Sequence, residues 1–261
     1  MKLRNIPVAL TIAGSDSGGG AGIQADLKTF ASLGVHGTSA ITCITAQNPK
    51  GVLGVQAARP PLVAKQMAAI CDAFDVKAAK TGMLFSTEII RVVTKFFQNR
   101  KLPLVVDPVM VATSGASLLK RSAVLTLQRE LFPLATLVTP NVAEAEVLTG
   151  DKIDSVEDLR RAARKIYAAF GCAALVKGGH LPDMKLAVDI FYDGKSELLL
   201  SAPFVRGVST HGTGCTYSAA ITSYLALGLD LPTAVAKAKP YISNAIANSL
   251  RVGRYSVLRH Q

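Results

Sequence analysis

One glycine-containing segment in the last quarter of the chain carries residue types suited to anion chemistry. It reads Ser-Thr-His-Gly-Thr-Gly-Cys-Thr-Tyr-Ser over residues 209–218 and leads into an alanine-rich helical pattern. Gly212, Thr213 and Gly214 allow consecutive backbone N–H groups to converge on an anion, and a helix dipole adds partial positive charge at the same point. A thiol there is expected to have a lowered pKa. Cys215 is therefore predicted to act as a base or nucleophile.

A second glycine-rich segment follows the first predicted strand. Residues 13–22 read Ala-Gly-Ser-Asp-Ser-Gly-Gly-Gly-Ala-Gly before a helical pattern, so backbone N–H groups can approach a ligand closely near a helix N-terminus. Asp26 follows one helical turn later and faces either that ligand or water. A purely structural turn is the alternative. The glycine spacing does not fit a dinucleotide fingerprint, and residues 194–196 lack the leading glycine of a P-loop.

Polar and apolar side chains follow three further predicted strands. The Gln47 side-chain amide offers a paired donor and acceptor that could read the edge of a heteroaromatic ligand. Asp107, at a strand tip, could hold a cation or a nucleotide-bound water. Met83 and Val109 could wall an apolar slot between them, with plain core filling as the alternative for the methionine.

Asn141 and Glu144 follow the fifth predicted strand and share one face if a helix starts there. An N-cap asparagine with glutamate three residues later is a capping box, which is the structural explanation. The same geometry would also direct a carboxylate at magnesium. Lys177 follows the sixth strand and precedes a Gly-Gly-His sequence at 178–180. Acidic, amide and cationic groups at neighbouring strand ends predict a phosphate and magnesium site.

Short β-branched runs and longer helical patterns alternate along the chain and must position these groups. The predicted strands are residues 8–13, 39–45, 76–79, 104–107, 137–139 and 173–177. The predicted helices are residues 21–33, 61–74, 87–98, 122–131, 155–170, 216–227 and 232–251, the last bent at Pro240.

The alternation of predicted strands and helices ends after the sixth strand. Residues 187–192 and 197–200 flank Asp193-Gly194, a hairpin signal that predicts antiparallel strands at a sheet edge. Together with the preceding alternation, this predicts a doubly wound α/β sheet. Such sheets bind ligands outside the carboxyl ends of their strands, where the residues named above lie.

Composition narrows the possible classes of protein. With 261 residues, 49% hydrophobic and 18% charged, the chain has material for a sizeable core, and disorder is excluded. We expect one domain over residues 1–261. The formal charge of +11 suggests an anionic partner, but scattered basic residues, 6% aromatics and no Trp argue against nucleic acid.

The cysteines point to a reducing compartment. Cys43, Cys71, Cys172 and Cys215 show neither CxxC pairing nor His at metal-ligand spacing, so disulfides and structural zinc are not expected. No apolar run approaches the roughly 18 residues of a membrane helix. We therefore expect a cytoplasmic protein that does not associate with membranes.

Taken in order, the motifs resemble a known enzyme family, the hydroxymethylpyrimidine/phosphomethylpyrimidine kinases of the ribokinase-like superfamily. The resemblance covers nearly the whole chain, through residues 13–28, 45–48, 80–84, 107–110, 139–141, 177–180 and 211–216. It implies a ribokinase-like three-layer α/β/α fold with a mostly parallel central sheet and antiparallel edge strands. It also implies a homodimer.

The reaction implied by the resemblance is ATP-dependent phosphorylation of 4-amino-5-hydroxymethyl-2-methylpyrimidine, and of its monophosphate to the diphosphate, in thiamin biosynthesis. ATP and Mg²⁺ are the implied cofactors, and participation of a monovalent cation stays open. Gln47 resembles the amide that reads the aminopyrimidine. The implied ring-pocket residues are Gly14, Asp26, Met83 and Val109. The implied nucleotide side comprises Asp107, Asn141, Glu144 and Lys177, with Asp107 and Glu144 toward the metal.

For the phosphoryl group itself, Gly212, Thr213 and Gly214 match the family's anion hole. Cys215 occupies the position where most ribokinase-like enzymes place an aspartate base. Loose phosphoryl transfer depends more on positioning and charge neutralisation than on a strong base, so a thiolate can suffice.

Two other functions stay open at this point. A pyridoxal kinase, or a dual pyridoxal/hydroxymethylpyrimidine kinase, would bind a similar flat ring with a hydroxymethyl group and share the Gly-Thr-Gly-Cys turn. A catalytically silent small-molecule sensor on the same fold is the other. The chain departs from many relatives in its tail, residues 252–260, and has Pro49 where Thr is usual.

Overall fold

The computed structural model describes residues 5–110, 118–179, 181, 186–208 and 211–260. His180, Ser209 and Thr210, which belong to the motifs above, lie outside these ranges. Within them the chain forms a nine-stranded sheet covered by helices on both faces, and a separate two-stranded ribbon. The predicted α/β class is confirmed.

The sheet has the order β3-β2-β1-β4-β5-β6-β7-β8-β9. Its strands are β1 (Val8–Asp16), β2 (His36–Asn48), β3 (Gly51–Ala57), β4 (Val76–Thr81), β5 (Leu104–Val106), β6 (Leu137–Val138), β7 (Ala173–Lys177), β8 (Leu186–Tyr192) and β9 (Glu197–Pro203). The six central strands, β2, β1, β4, β5, β6 and β7, are parallel to one another. At the edges, β3 pairs antiparallel to β2, β8 antiparallel to β7, and β9 antiparallel to β8. The chain order reverses at β1, which lies between β2 and β4.

Backbone hydrogen bonds tie the strand tips to one another at the carboxyl edge of the sheet. The bonds run from Gly82 N to Ile12 O, Asp107 N to Thr81 O, Thr139 N to Val106 O and Lys177 N to Pro140 O, all between 2.9 and 3.0 Å. Residues that directly follow these strands are therefore held at fixed spacing beside the reversal point, where open α/β sheets bind ligands.

Helices divide between the two faces of the sheet. One face is covered by α1 (Gly22–Ser32), α7 (Thr213–Ala226) and α8 (Leu231–Ala247). The other is covered by α2 (Pro60–Ala73), α3 (Thr87–Phe97), α4 (Arg121–Thr126), α5 (Val142–Thr149) and α6 (Val156–Phe170). None of the helices in the described ranges is long and apolar enough to cross a membrane.

Two helix ends and one edge strand are among the differences from the predictions. Helix α7 begins at Thr213, three residues before the predicted start, so the Gly-Thr-Gly-Cys turn belongs to the helix itself. The closing helix ends at Ala247 rather than at residue 251, because the chain turns into a hairpin of β10 (Leu250–Val252) and β11 (Tyr255–Val257). Strand β3 was not predicted, because its sequence Gly-Val-Leu-Gly-Val-Gln-Ala contains two glycines and no strict apolar/polar alternation.

Candidate active site

The first turn of α7 lies directly against the glycine-rich loop after β1. Gly212 caps the helix with a φ of +82°, and a Cβ there would lie 1.8 Å from the Gly20 carbonyl oxygen. Only glycine permits so close a backbone approach. The N–H groups of a first helical turn have no partners within their own helix, so this turn directs them outward. The structure thus places Thr213, Gly214 and Cys215 where an anion could be held.

An ion pair lies beside this turn. Lys177 Nζ donates to Asp107 Oδ1 over 3.2 Å, and Thr139 Oγ1 donates to the same oxygen over 3.4 Å. A Cβ on Gly214 would lie 3.3 Å from Lys177 Nζ and 3.4 Å from Asp107 Oδ2. The absence of a side chain at Gly214 therefore leaves a cation and a carboxylate next to the helix N-terminus.

The Lys177 side chain stays protonated although it is mostly buried. Burial disfavours the ammonium form, yet the carboxylates of Asp107 and Glu144 outweigh that effect and raise the pKa of Lys177 above its ordinary value. A lysine held protonated next to a helix N-terminus is suited to a phosphate group. The predicted grouping of Asp107 and Lys177 is thus present in the structure.

Asn141 and Glu144 form the capping box that the sequence allowed. Asn141 Oδ1 accepts from Glu144 N, and Glu144 Oε2 accepts from Asn141 N, both over 2.9 Å. The other glutamate oxygen accepts from Met110 N over 2.9 Å. Burial is the main reason why the pKa of Glu144 rises to about 7. With both oxygens bonded to backbone and the side chain buried, the expectation that Glu144 ligates magnesium directly is not supported.

Cys215 corrects another expectation. Desolvation raises the pKa of the Cys215 thiol to about 11, against the opposing effects of Lys80 and of the Gly22 N–H group. The prediction of a lowered thiol pKa is therefore wrong in this structure, because burial outweighs the nearby positive charge. The thiol lies at the helix N-terminus as predicted, although it belongs to the first turn of α7 rather than preceding the helix.

Sequence reasoning missed a junction between the glycine loop and α7. The buried Asp16 carboxylate accepts from the backbone N–H groups of Gly18, Gly20 and Ala21 over 2.8 to 3.1 Å. His211 Nε2 lies 3.0 Å from the same carboxylate. Burial alone would raise the pKa of Asp16, but these hydrogen bonds lower it overall. An aspartate followed by Ser-Gly is a turn signal that could have identified the first half of this arrangement.

Gln47 lies at the end of β2 beside this junction. Its side-chain Nε2 lies 3.3 Å from His211 Nε2, and its Oε1 accepts from Thr45 Oγ1 over 3.3 Å. Ser17 Oγ donates to the Gln47 carbonyl oxygen and accepts from the Gln47 backbone N–H group, both over 2.7 Å. The amide that was predicted to read a ring is therefore connected to the glycine loop and to the residue before α7.

The other predicted ring-pocket residues divide into two groups. A Cβ on Gly14 would lie 3.0 Å from the Met83 terminal methyl group, so the two are in contact, and Met83 is half-buried. Val109 is also half-buried, with a φ of +45° that is costly for a β-branched residue. Asp26 has no exposed side-chain surface and pairs with Lys80. Its carboxylate is thus fully buried in this structure, and its place in a ring pocket stays a prediction.

A cavity of about 180 Å³ extends from Lys177 and Gly214 toward β9 and α8. Its apolar wall includes Pro203, Phe204, Val205, Ile242 and Ile246, and Asn141 and Thr213 also line it. None of the wall residues was predicted, because they come from two elements far apart in the sequence. A larger open cleft, about 370 Å³, lies at the amino ends of β4 and β5, away from these groups.

The chain is similar to known kinases over nearly its whole length. The protein-family model described as Phosphomethylpyrimidine kinase matches residues 16–259. The hydroxymethylpyrimidine/phosphomethylpyrimidine kinase of Synechococcus elongatus is 47% identical over 249 residues, covering 95% of both chains. The thiamine biosynthesis bifunctional protein ThiED of Geobacter sulfurreducens is 49% identical over 94% of this chain, which spans half of that longer protein.

Two solved structures are also close. An ADP complex of Bacillus subtilis pyridoxal kinase has a TM-score of 0.90, with 39% identity and 98% coverage of both chains. Phosphomethylpyrimidine kinase from Clostridium difficile 630 has a TM-score of 0.82 and 44% identity, covering 92% of this chain and 99% of that one. The ribokinase-like fold expected from the sequence is confirmed by these neighbours.

Proposed function

The chain belongs to the phosphomethylpyrimidine kinase family, and from this premise we propose that it phosphorylates 4-amino-5-hydroxymethyl-2-methylpyrimidine, the pyrimidine alcohol, and then its monophosphate. ATP supplies the phosphoryl group, and the diphosphate product serves thiamin biosynthesis. The observation that carries the proposal is the first turn of α7, packed against the glycine loop and flanked by Asp107 and Lys177. This arrangement offers an anion site and a potential base at one point.

The chain's own residues supply positioning and charge. The backbone of Gly212, Thr213 and Gly214 holds the transferring phosphoryl group, and Lys177 neutralises part of its charge. Cys215, as the thiolate, accepts the proton of the acceptor hydroxyl, so that an S–H bond forms as the O–H bond breaks. Gln47 orients the ring by pairing with the aminopyrimidine edge.

The nucleotide is proposed to occupy the 180 Å³ cavity, with its base against the apolar wall and its phosphates at Lys177 and Gly214. Magnesium typically uses one or two carboxylates together with substrate phosphates and water. Asp107 fits that pattern, and among the described residues no group of three or more acidic, His or Cys side chains forms a larger cage. When bound, the metal would neutralise phosphate charge.

The Glu144 carboxylate supports this site by accepting hydrogen bonds from the backbone N–H groups of Met110 and Asn141. Glu144→Gln is expected to lower the free energy of unfolding by about 1–3 kcal/mol, because the amide nitrogen cannot accept from one of the two N–H groups that the carboxylate now satisfies. Thermal unfolding measures this change. The control is Glu157→Gln on the exposed face of α6. Unchanged stability with a raised magnesium requirement would instead make Glu144 a metal ligand.

Pyridoxal kinase activity is the second candidate, because the pyridoxal kinase from Bacillus subtilis has so similar a fold. Steady-state ADP release distinguishes the candidates: the protein is incubated with ATP, Mg²⁺ and either the pyrimidine alcohol, its monophosphate or pyridoxal. We expect turnover with both pyrimidines. No turnover with either pyrimidine would contradict the proposal, and turnover with pyridoxal alone would establish the alternative.

We also propose a homodimer of one-domain subunits in the cytoplasm. The four free cysteines fit a reducing compartment. Strand β3 supplies a candidate interface, because it is an edge strand with Val52, Leu53 and Val55 all exposed.

Leu53→Glu is therefore expected to shift the protein from dimer to monomer, since the leucine is 82% exposed in the single chain and a charge there would be buried by a partner. Light scattering after size-exclusion chromatography measures the mass. Val147→Glu, at an exposed apolar residue of α5, is the control and should leave the dimer intact. A monomeric wild type would refute the dimer, and an unchanged dimer in Leu53→Glu would exclude β3 as its interface.

A further inference from the structure

A fully buried ion pair lies beneath the candidate active site and has no part in the mechanism above. Lys80 and Asp26 expose no side-chain surface, and Lys80 Nζ donates to Asp26 Oδ1 over 2.8 Å. Thr11 Oγ1 donates to the other carboxylate oxygen over 2.6 Å. Burying two charges is costly even when they are paired, and an apolar pair of the same volume is often as stable. The position of this pair suggests what it contributes.

Four elements meet in a small apolar cluster below the pair. The cluster contains Ala9 of β1, Phe30 of α1, Ala78 of β4, and Ala219 and Ala226 of α7. Val35, which precedes β2, completes it. Strands β1 and β4 run toward the candidate site, whereas α1 and α7 begin there and run away from it. A step of two residues forward on a strand, or of four back on a helix, therefore leads to the next layer toward the site.

That next layer is polar on all four elements. It consists of Thr11 on β1, Asp26 on α1, Lys80 on β4 and Cys215 on α7. The Thr11–Asp26 and Lys80–Asp26 hydrogen bonds show that side chains of this layer meet. Cys215 lies one helical turn before the clustered Ala219, on the same face of α7. The Cys215 thiol accordingly faces the layer that contains the Lys80 ammonium group.

The charges within this layer have opposite effects on the thiol. After the desolvation that raises the pKa of Cys215, Lys80 is the largest influence and lowers it, whereas Asp26 and Asp107 raise it. Lys80 itself stays protonated, because burial lowers its pKa less than Asp26, Cys215 and Asp107 together raise it. Lys177, beside Gly214, is also coupled to this thiol, since Cys215 contributes to the raised pKa of Lys177.

We propose that Lys80 is a positioning residue whose buried ammonium group stabilises the Cys215 thiolate, while Asp26 holds that ammonium in place. The use of this thiolate as a base rests on the proposed function. The coupling between ammonium and thiolate does not, because it is a property of the folded chain without substrate.

The reactivity of Cys215 toward iodoacetamide tests the coupling. The rate is measured between pH 7 and 9.5 by mass spectrometry of the peptide containing Cys215, in wild type, Asp26→Asn, and Asp26→Asn combined with Lys80→Met. A tenfold change in thiolate fraction corresponds to about one pKa unit. Asp26→Asn keeps an oxygen that can accept from Lys80 Nζ but removes the negative charge that raises the thiol pKa, so it should react about three- to tenfold faster than wild type.

The double variant should lose that gain and react at least about threefold more slowly than Asp26→Asn, because the cation is gone. Phe30→Leu disturbs the packing of the cluster below without changing any charge, and it should react like wild type. Circular dichroism and thermal unfolding verify that each variant is folded.

A rate gain in Asp26→Asn that the added Lys80→Met removes identifies an electrostatic role, since loosened packing would raise the rate in both variants. Equal rates in the two variants, or a faster double variant, would overturn the proposal. If the double variant does not fold, Asp26→Asn decides alone, and a rate at or below that of wild type refutes the coupling. The assay uses no substrate, so its outcome is independent of which alcohol the enzyme phosphorylates.

Discussion

Replacing Cys215 by alanine is expected to lower kcat by about 10²- to 10⁴-fold, the usual effect of losing a general base, with a smaller change in KM. The substitution removes the group that accepts the hydroxyl proton. It leaves the backbone of the α7 first turn intact, so phosphate binding should persist. Steady-state ADP release with the pyrimidine alcohol measures both constants.

The pH profile adds a second readout to this variant. The thiol pKa is raised to about 11, so the thiolate fraction increases with pH throughout the range from 7 to 9. We expect kcat of wild type to rise with pH in that range and kcat of Cys215→Ala to rise less. Cys71→Ala, near the amino end of β4, is the matched control and should behave like wild type. An alanine variant with unchanged kcat would remove Cys215 from the mechanism.

Substituting Gln47 by leucine is expected to reduce the preference for the pyrimidine alcohol over pyridoxal by about 10- to 100-fold. In the proposed complex, the amide carbonyl accepts from the exocyclic amine and the amide NH₂ donates to a ring nitrogen. Loss of this pairing leaves buried polar groups of the ligand unmatched, at about 1–3 kcal/mol. Pyridoxal lacks that amine, so its kcat/KM should change less.

The comparison requires kcat/KM for both alcohols in wild type and variant. Gln98→Leu, at the exposed end of α3, is the control for a glutamine-to-leucine change outside the site. An equal loss with both alcohols would show that Gln47 supports the loop through His211 rather than reading the ring. The 3.3 Å contact between these two side chains makes that outcome a specific alternative.

Local sequence patterns predicted much of the architecture. Buried parallel strands such as β1 and β7 are continuous apolar runs, and the ends of α5 and α6 carry capping boxes and left-handed glycines. Strand β3 was missed because two glycines and adjacent apolar residues obscure the apolar/polar alternation that identifies a strand. The helix predicted to reach residue 251 ended earlier because the hairpin of β10 and β11 overrides its local helical pattern.

The site was predicted where its residues directly follow a strand or begin a helix. Asp107, Lys177 and the Gly-Thr-Gly-Cys turn lie together because strand ends meet at one edge of the sheet. The contact of Asp16 with His211 spans almost the whole chain and leaves no local signature. The burial of Lys80 could not be foreseen either, since lysines are normally exposed and only the folded layer supplies its partner.

Competition between the two alcohols tests the central assignment most directly. Wild type is given equal concentrations of the pyrimidine alcohol and pyridoxal with limiting ATP and Mg²⁺, and the phosphorylated products are quantified by mass spectrometry. Their ratio at low conversion equals the ratio of the two kcat/KM values. We expect the pyrimidine phosphate to predominate by at least about tenfold, because only that ring can pair with Gln47. Equal or greater formation of pyridoxal phosphate would overturn the assignment of the pyrimidine alcohol as substrate.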